Sequence, residues 1–254
     1  MNVLEVNNIS KRFGGVQAVK DVSLELEKGN IVSIIGPNGA GKTTVFNLIS
    51  GIYWIDSGDV LLNGESIKTK EQHERTSAGI ARTFQNIRLF KGLTVLENVM
   101  TAQDPFAKYN LVDTLFSLKK KKAEEKRSRQ ESLVHLEMVG LAKYKDERPE
   151  NLSYGLQRKL EIARALATNP QVILLDEPAA GLNSGEVIDF IDLVHKINEE
   201  LGLSVLLIDH RMPLVMELSK WIYVLNFGQL IADGTPADIQ CNPEVMKAYI
   251  GEED

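Results

Sequence analysis

One run of nine residues constrains this 254-residue chain more than any other: Gly36-Pro37-Asn38-Gly39-Ala40-Gly41-Lys42-Thr43-Thr44, which fits G-x-x-x-x-G-K-[ST]. It follows the apolar stretch Ile31-Val32-Ser33-Ile34-Ile35 and precedes a helical pattern over residues 43–50 that stops at Gly51. Glycines at these positions let backbone N–H groups turn inward around phosphate oxygens, which bulky side chains would prevent. Lys42 is then placed to reach β- and γ-phosphates, and the Thr43 hydroxyl to ligate Mg²⁺. The helix that starts near Lys42 points its positive end at the same anion.

Such a loop needs an acidic partner on a neighbouring strand. Val172-Ile173-Leu174-Leu175-Asp176-Glu177 supplies one, with Asp176 lying 134 residues beyond Lys42. Asp176, at the strand end, can hold Mg²⁺ through water. Glu177 is suited to orient and deprotonate a water attacking a γ-phosphate.

The rest of the chain reads as a strand-and-helix alternation. Val22, Leu24 and Leu26 alternate with Ser23, Glu25 and Glu27, the period of a half-buried strand. Further strands are expected over residues 58–64, 80–85, 172–175 and 203–208, with a hairpin around Asn226-Phe227-Gly228-Gln229. Asn183 or Ser184 can cap a helix that Gly202 ends, and a short helix closes the chain before Gly251. Buried strands alternating with helices argue for an α/β fold with a mostly parallel sheet. Residues 95–141 are instead helix-forming and charged; residues 119–131 hold seven basic and three acidic side chains, read as a solvated helix face.

Composition narrows the surroundings. No apolar run approaches the roughly 18 residues of a membrane span, and the start MNVLEVNNISKRF lacks the layout of a secretory signal. The single cysteine, Cys241, fits a reducing compartment. A net charge of −6 argues against nucleic acid, whose phosphates demand a basic face.

Three more stretches carry a resemblance. Leu152-Ser153-Tyr154-Gly155-Leu156-Gln157 precedes a helical run ahead of Asp176, Gln85 follows Arg82-Thr83-Phe84, and His210 follows an apolar strand. With the phosphate loop and Asp176-Glu177, in this order, they resemble the LSGGQ signature, Q-loop and switch histidine of ATP-binding-cassette (ABC) ATPases.

That resemblance implies one cassette domain over residues 1–254. Its phosphate-loop core and antiparallel β subdomain would occupy about 1–95 and 165–254, and a helical subdomain with the signature about 96–164. It implies ATP and Mg²⁺ as cofactors. Gly36, Pro37, Asn38, Gly39, Ala40, Gly41, Lys42, Thr43, Thr44 and Gln85 would bind nucleotide, with Phe13 or Val16 packing on adenine. Thr43, Gln85 and Asp176 would form the metal shell, Glu177 and His210 the catalytic pair. Ser153, Tyr154, Gly155 and Leu156 would contact ATP held by a second subunit, because cassettes work as head-to-tail dimers. The chain departs from the family pattern at Tyr154, Leu156, Asn183 and Arg211.

Within the family, several runs are similar to ATPase subunits of branched-chain amino-acid importers. They are Lys11-Arg12-Phe13-Gly14-Gly15, the stretches around residues 82–90 and 93–99, Glu177 to Asn183, Gly234-Thr235-Pro236-Ala237 and Asn242-Pro243-Glu244. A charged insertion over residues 104–131 is shared with one of the two ATPase types of that system. Urea or amide importers and the lipopolysaccharide-export ATPase have similar cassettes and stay open, as does a soluble non-transport ATPase. The implied partners are a second ATPase subunit, homo- or heteromeric, separate membrane permeases docking near residues 86–96 and the helical insertion, and indirectly a periplasmic or extracellular solute-binding protein. Nucleic acid is not among them. The implied location is cytoplasmic, peripheral on the inner face of the cell membrane.

Overall fold

The computed structural model describes residues 1–103 and 118–250, with side chains of 118–121 and 250 outside the description. Contacts separate two compact units, Met1–Gln85 with Gln171–Asp254, and Asn86–Pro170.

The first unit holds two sheets. Strands β1 (Asn2–Phe13), β2 (Val16–Glu27), β4 (Ser57–Leu62) and β5 (Glu65–Ser66) form an antiparallel sheet in the order β2-β1-β4-β5. The expected alternation on β2 is present: Val22, Leu24 and Leu26 are buried, Glu25 and Glu27 exposed. The strand expected over 58–64 instead ends at Leu62. Asn63 and Gly64, both at positive φ (51° and 81°), make a two-residue hairpin turn into β5.

The second sheet contains β3 (Ile31–Ile35), β6 (Ile80–Arg82), β7 (Val172–Asp176), β8 (Ser204–Ile208), β9 (Trp221–Asn226) and β10 (Gln229–Gly234). Its order is β10-β9-β3-β8-β7-β6, parallel throughout except for the β9–β10 hairpin. Every residue of β3, β7 and β8 is buried, the continuous apolar run of strands covered on both faces. Phe227 and Gly228 close the β9–β10 turn at φ 45° and 77°. The order places β3, β8 and β7 side by side, so whatever follows their carboxyl ends meets at one edge of the sheet.

Helices of this unit start and stop where side chains satisfy their ends. Helix α1 (Lys42–Ile49) buries Val45, Phe46, Leu48 and Ile49 in the core shared with both sheets. Helix α2 (Gln72–Ala78) carries a Glu71–Glu74 capping box. Asn183, the expected cap, forms a capping box with Glu186 on the later helix Ser184–Leu201, which ends at Gly202 in the left-handed conformation. Short helices Met212–Leu218, Pro236–Gln240 and Pro243–Ile250 complete the unit.

The second unit is helical. Helix α3 (Val95–Met100), capped by Thr94 with Glu97, packs with α4 (Leu118–Met138) and α5 (Tyr154–Leu166). Buried Asn98 organises the preceding loop: its amide donates to the carbonyls of Phe90 and Thr94 and its oxygen accepts from the Phe90 N–H. Residues 122–131 are exposed or half-exposed, with Arg127 paired to Glu124 and Glu131, the solvated face expected. The part of the charged insertion over residues 104–117 lies outside the described residues.

Candidate functional site

The phosphate loop leaves β3 under tight steric control. Gly36 has φ 149°, and a Cβ there would lie 2.1 Å from the Leu225 carbonyl oxygen. Gly41 has φ 99°, and its Cβ would stand 2.7 Å from the Ala18 carbonyl oxygen. Only glycine fits either position. Below the loop the Gly228 N–H donates to the Ala40 carbonyl at 3.0 Å, so the β9–β10 turn braces it. Pro37 is half-buried, Asn38 and Gly39 are exposed, and Ala40 is buried.

Helix α1 begins at Lys42 with no side-chain cap on its first N–H groups, which leaves them for an anion. Lys42 is 8% exposed, and its Nζ donates to the Gly36 and Pro37 carbonyls at 2.7 and 2.9 Å. Desolvation pushes its pKa below the usual lysine value, while Glu177 and Asp176 nearby push the other way. Thr43 is exposed and Thr44 half-buried at the start of the helix.

The acidic side sits on β7 and its neighbours. Asp176 is buried at the end of β7, and its Oδ2 accepts from Arg82 Nη2 at 2.7 Å. Glu177 follows at φ 44°, a left-handed conformation that few non-glycine residues adopt, with its N–H donating to the Ile208 carbonyl at 2.7 Å. Gln85 Nε2 donates to Glu177 Oε2 at 2.7 Å. His210 Nδ1 stands 3.9 Å from the same Oε2, on a side chain 59% exposed. The strand expected over 80–85 stops at Arg82, and that early stop lets Gln85 turn toward Glu177. Gln85, Glu177 and His210 are therefore brought together from three separate segments.

Phe13 and Val16 lie at the β1–β2 turn, 42% and 68% exposed. Phe13 meets Tyr53 edge-to-face, ring centroids 5.1 Å apart, with Lys11 Nζ 5.6 Å from the Phe13 centroid. Asp56 holds this turn by accepting from Lys11 Nζ and the Arg12 N–H.

In the helical unit, Ser153 caps α5, its Oγ accepting from the Leu156 N–H at 3.4 Å. Ser153 and Tyr154 are exposed, Gly155 is buried and Leu156 half-buried. The Tyr154 hydroxyl accepts from Arg158 Nη2 at 3.2 Å, which ties this departure from the signature pattern to its own helix.

Three residues take a role at the site only through the fold. Arg82 joins Asp176 to α1. Fully buried Asp209 accepts from the Ala179 N–H through Oδ2 and from the Arg211 N–H through Oδ1, bracing the loops after β7 and β8. Tyr53 supports Phe13. The signal for the first two was a charge at the end of an apolar strand, which requires a partner once buried. Of the departures, Asn183 acts as a helix cap, and Arg211 Nη2 donates to the Leu182 carbonyl at 3.0 Å.

Two protein families match: the family described as ABC transporter over residues 19–180, and branched-chain amino acid ATP-binding cassette transporter over residues 229–254. The high-affinity branched-chain amino acid transport ATP-binding protein BraF of Pseudomonas aeruginosa is 45% identical over 250 residues, covering 98% of each chain. The ADP conformation of MJ1267, an ATP-binding cassette of an ABC transporter, superposes with TM-score 0.86 at 36% identity, covering 99% of this chain and 100% of that one. A dimeric post-hydrolysis state of the cassette MJ0796, bound to ADP and Pi, superposes at 0.76 with 29% identity, covering 92% and 98%.

Proposed function

The chain belongs to the ABC transporter ATP-binding family, and from that premise we propose that it is the ATP-hydrolysing, energy-coupling subunit of a branched-chain amino-acid importer. ATP binding and hydrolysis follow from the family itself. The solute rests on the match of residues 229–254 to the branched-chain family and on the likeness to BraF. Residues 1–254 act as one cassette domain in this reading.

The observation that carries the hydrolytic role is the meeting of Lys42, Asp176, Glu177, Gln85 and His210 around one sheet edge. The loop from Gly36 to Thr44 takes the phosphates through backbone N–H groups, and Lys42 exchanges the Gly36 and Pro37 carbonyls for anionic oxygens. A triphosphate beside Lys42 favours the ammonium form and so opposes the desolvation that lowers its pKa. Phe13, with Val16 beside it, packs on the adenine ring.

The Thr43 hydroxyl, the Asp176 carboxylate and the Gln85 carboxamide are all oxygen donors of the kind a hard cation takes. When bound, Mg²⁺ neutralises charge developing on the phosphate oxygens. Gln85 fixes Glu177 through Oε2, so the other carboxylate oxygen is available to orient a water and take its proton. His210, exposed and close to Glu177, contacts the γ-phosphate.

The signature is served by a second copy or a homologous subunit. Ser153 caps, and Tyr154, Gly155 and Leu156 begin, a 13-residue helix whose positive end suits an anion. The dimeric form of the related cassette MJ0796 supports this assembly. ATP closes the two subunits and hydrolysis opens them, driving separate permeases between inward- and outward-facing states. The docking surface includes residues 86–96, where Phe90 is half-exposed with the Arg164 guanidinium over its ring. No helix of the described residues is long and apolar enough to cross a membrane. In this reading the permeases are separate chains that hold the subunit at the inner membrane face, as its kinship with transport ATP-binding proteins suggests.

Uptake of radiolabelled leucine, isoleucine and valine tests the solute in cells whose only copy carries Lys42→Ala. The expected result is loss of uptake of these three while urea uptake continues. Normal leucine uptake in those cells would overturn the assignment.

A further inference from the structure

Arg82 ends β6 with its side chain only 6% exposed, against an Asp176 side chain that is 5% exposed. Its Nη2 donates to Asp176 Oδ2 at 2.7 Å. Its Nη1 donates to two groups of α1, Asn47 Oδ1 at 2.7 Å and Ser50 Oγ at 2.8 Å. The guanidinium lies 5.7 Å from the Phe46 ring centroid and 5.2 Å from that of Phe84, which limit its movement.

The arrangement is a poor way to gain stability. A buried ion pair is often matched or exceeded by apolar residues of the same volume. Arg82 Nε is in addition buried with no hydrogen-bond partner among the described residues, a cost accepted in order to aim both Nη groups. What the pair does supply is geometry. It takes one of two equivalent carboxylate oxygens and links it to the helix that bears Thr43.

We propose that Arg82 is a positioning residue for the magnesium-side carboxylate. By holding Asp176 Oδ2 and, through Nη1, the Asn47 and Ser50 side chains, it presents Oδ1 to the ion in fixed register with the Thr43 hydroxyl. The proposal rests on the nucleotide reading above and extends it to a residue that touches neither metal nor phosphate. Partners that orient a metal ligand typically contribute 10- to 100-fold to metal affinity. Lysine keeps the charge but offers a point donor that cannot span Asp176 and α1 together.

The test uses the full chain with Glu177→Gln to prevent turnover, and measures equilibrium binding of labelled ATP in EDTA and across a magnesium titration. Circular dichroism of each variant reports folding. Arg82→Met is expected to bind ATP in EDTA within about twofold of its parent, with the magnesium half-saturation raised about 10-fold. Arg82→Lys is expected to fall between the two. An identical magnesium titration in folded Arg82→Met overturns the proposal, as does an equal loss of ATP binding with and without magnesium, which would make Arg82 a mere anchor for α1. Should Arg82→Met fail to fold, Arg82→Lys decides: a half-saturation raised threefold or more supports the clamp, and none overturns it. A parent that does not bind ATP would refute the nucleotide reading itself, separately from Arg82.

Discussion

Glu177 occupies a backbone conformation that costs the fold something, and that cost can be measured. At φ 44° an L-residue brings its Cβ against its own carbonyl, at about 1–2 kcal/mol relative to the right-handed region. Glycine escapes this penalty but gives up about 0.4–1 kcal/mol through the greater freedom of its unfolded chain. Two variants isolate the balance, because Glu177→Ala and Glu177→Gly both lose the hydrogen bond from Gln85 and differ only in the Cβ. Glycine is therefore expected to be more stable than alanine by about 0.5–1 kcal/mol at this position. For a chain of this size that is about 2 °C in Tm. At an ordinary right-handed position the order is reversed. Thermal melting followed by circular dichroism reads the difference, and neither variant should hydrolyse ATP. A Glu177→Gly protein that melts at or below Glu177→Ala would refute the claim that Glu177, the proposed base, is held under backbone strain.

Tyr53→Ala should raise the KM for ATP about 3- to 10-fold with kcat within twofold, since an aromatic pair contributes about 0.5–1.5 kcal/mol to fixing Phe13; Tyr53→Phe should match the parent, and an unchanged KM in the alanine variant removes the support role. Asp56, Glu97 and Asp238 all have pKa values lowered by hydrogen bonds, chiefly from Lys11, the Thr94 N–H and the Thr235 hydroxyl respectively. Their stabilisation is present above the unfolded pKa of about 4 and is lost as pH falls through the lowered folded values. Tm should accordingly drop on acidification below about pH 4, and Asp56→Asn should flatten that dependence. A slope unaltered by this substitution would exclude Asp56 as a contributor. Ser153→Ala should leave ATP binding to the isolated subunit unchanged and reduce hydrolysis, and normal steady-state turnover would argue against a signature that acts across subunits.

Much of this architecture is written locally. The glycine loop, the apolar runs of β3, β7 and β8, the Asn183 cap and the turn at Phe227-Gly228 each follow from residues within a few positions of one another. Asn63-Gly64 carried a hairpin signal of the same local kind, yet periodicity alone ran the strand through it to residue 64. The site is legible only in part. Lys42, Asp176, Glu177, Gln85 and His210 were found through spacing and family resemblance. Arg82, Asp209 and Tyr53 were not, because their roles exist only once distant segments meet: Arg82 needs α1 and β7, Asp209 joins the loops after β7 and β8, and Tyr53 needs the β1–β2 turn. Sequence shows that a buried charge must have a partner, but the partner is chosen by the strand order β3-β8-β7-β6.

In the proposed cycle two copies, or this chain and a homologous subunit, enclose ATP between a phosphate loop and a signature helix, and Glu177 then triggers release. Sedimentation velocity of Glu177→Gln with ATP and Mg²⁺ reads this enclosure as a change of mass. The expected result is a shift from monomer to dimer with ATP, none with ADP, and none when Ser153→Ala is added; if the purified chain forms its dimer only with the homologous subunit, the same pattern applies to the mixture. A Glu177→Gln protein that binds ATP and stays monomeric in both settings would contradict it.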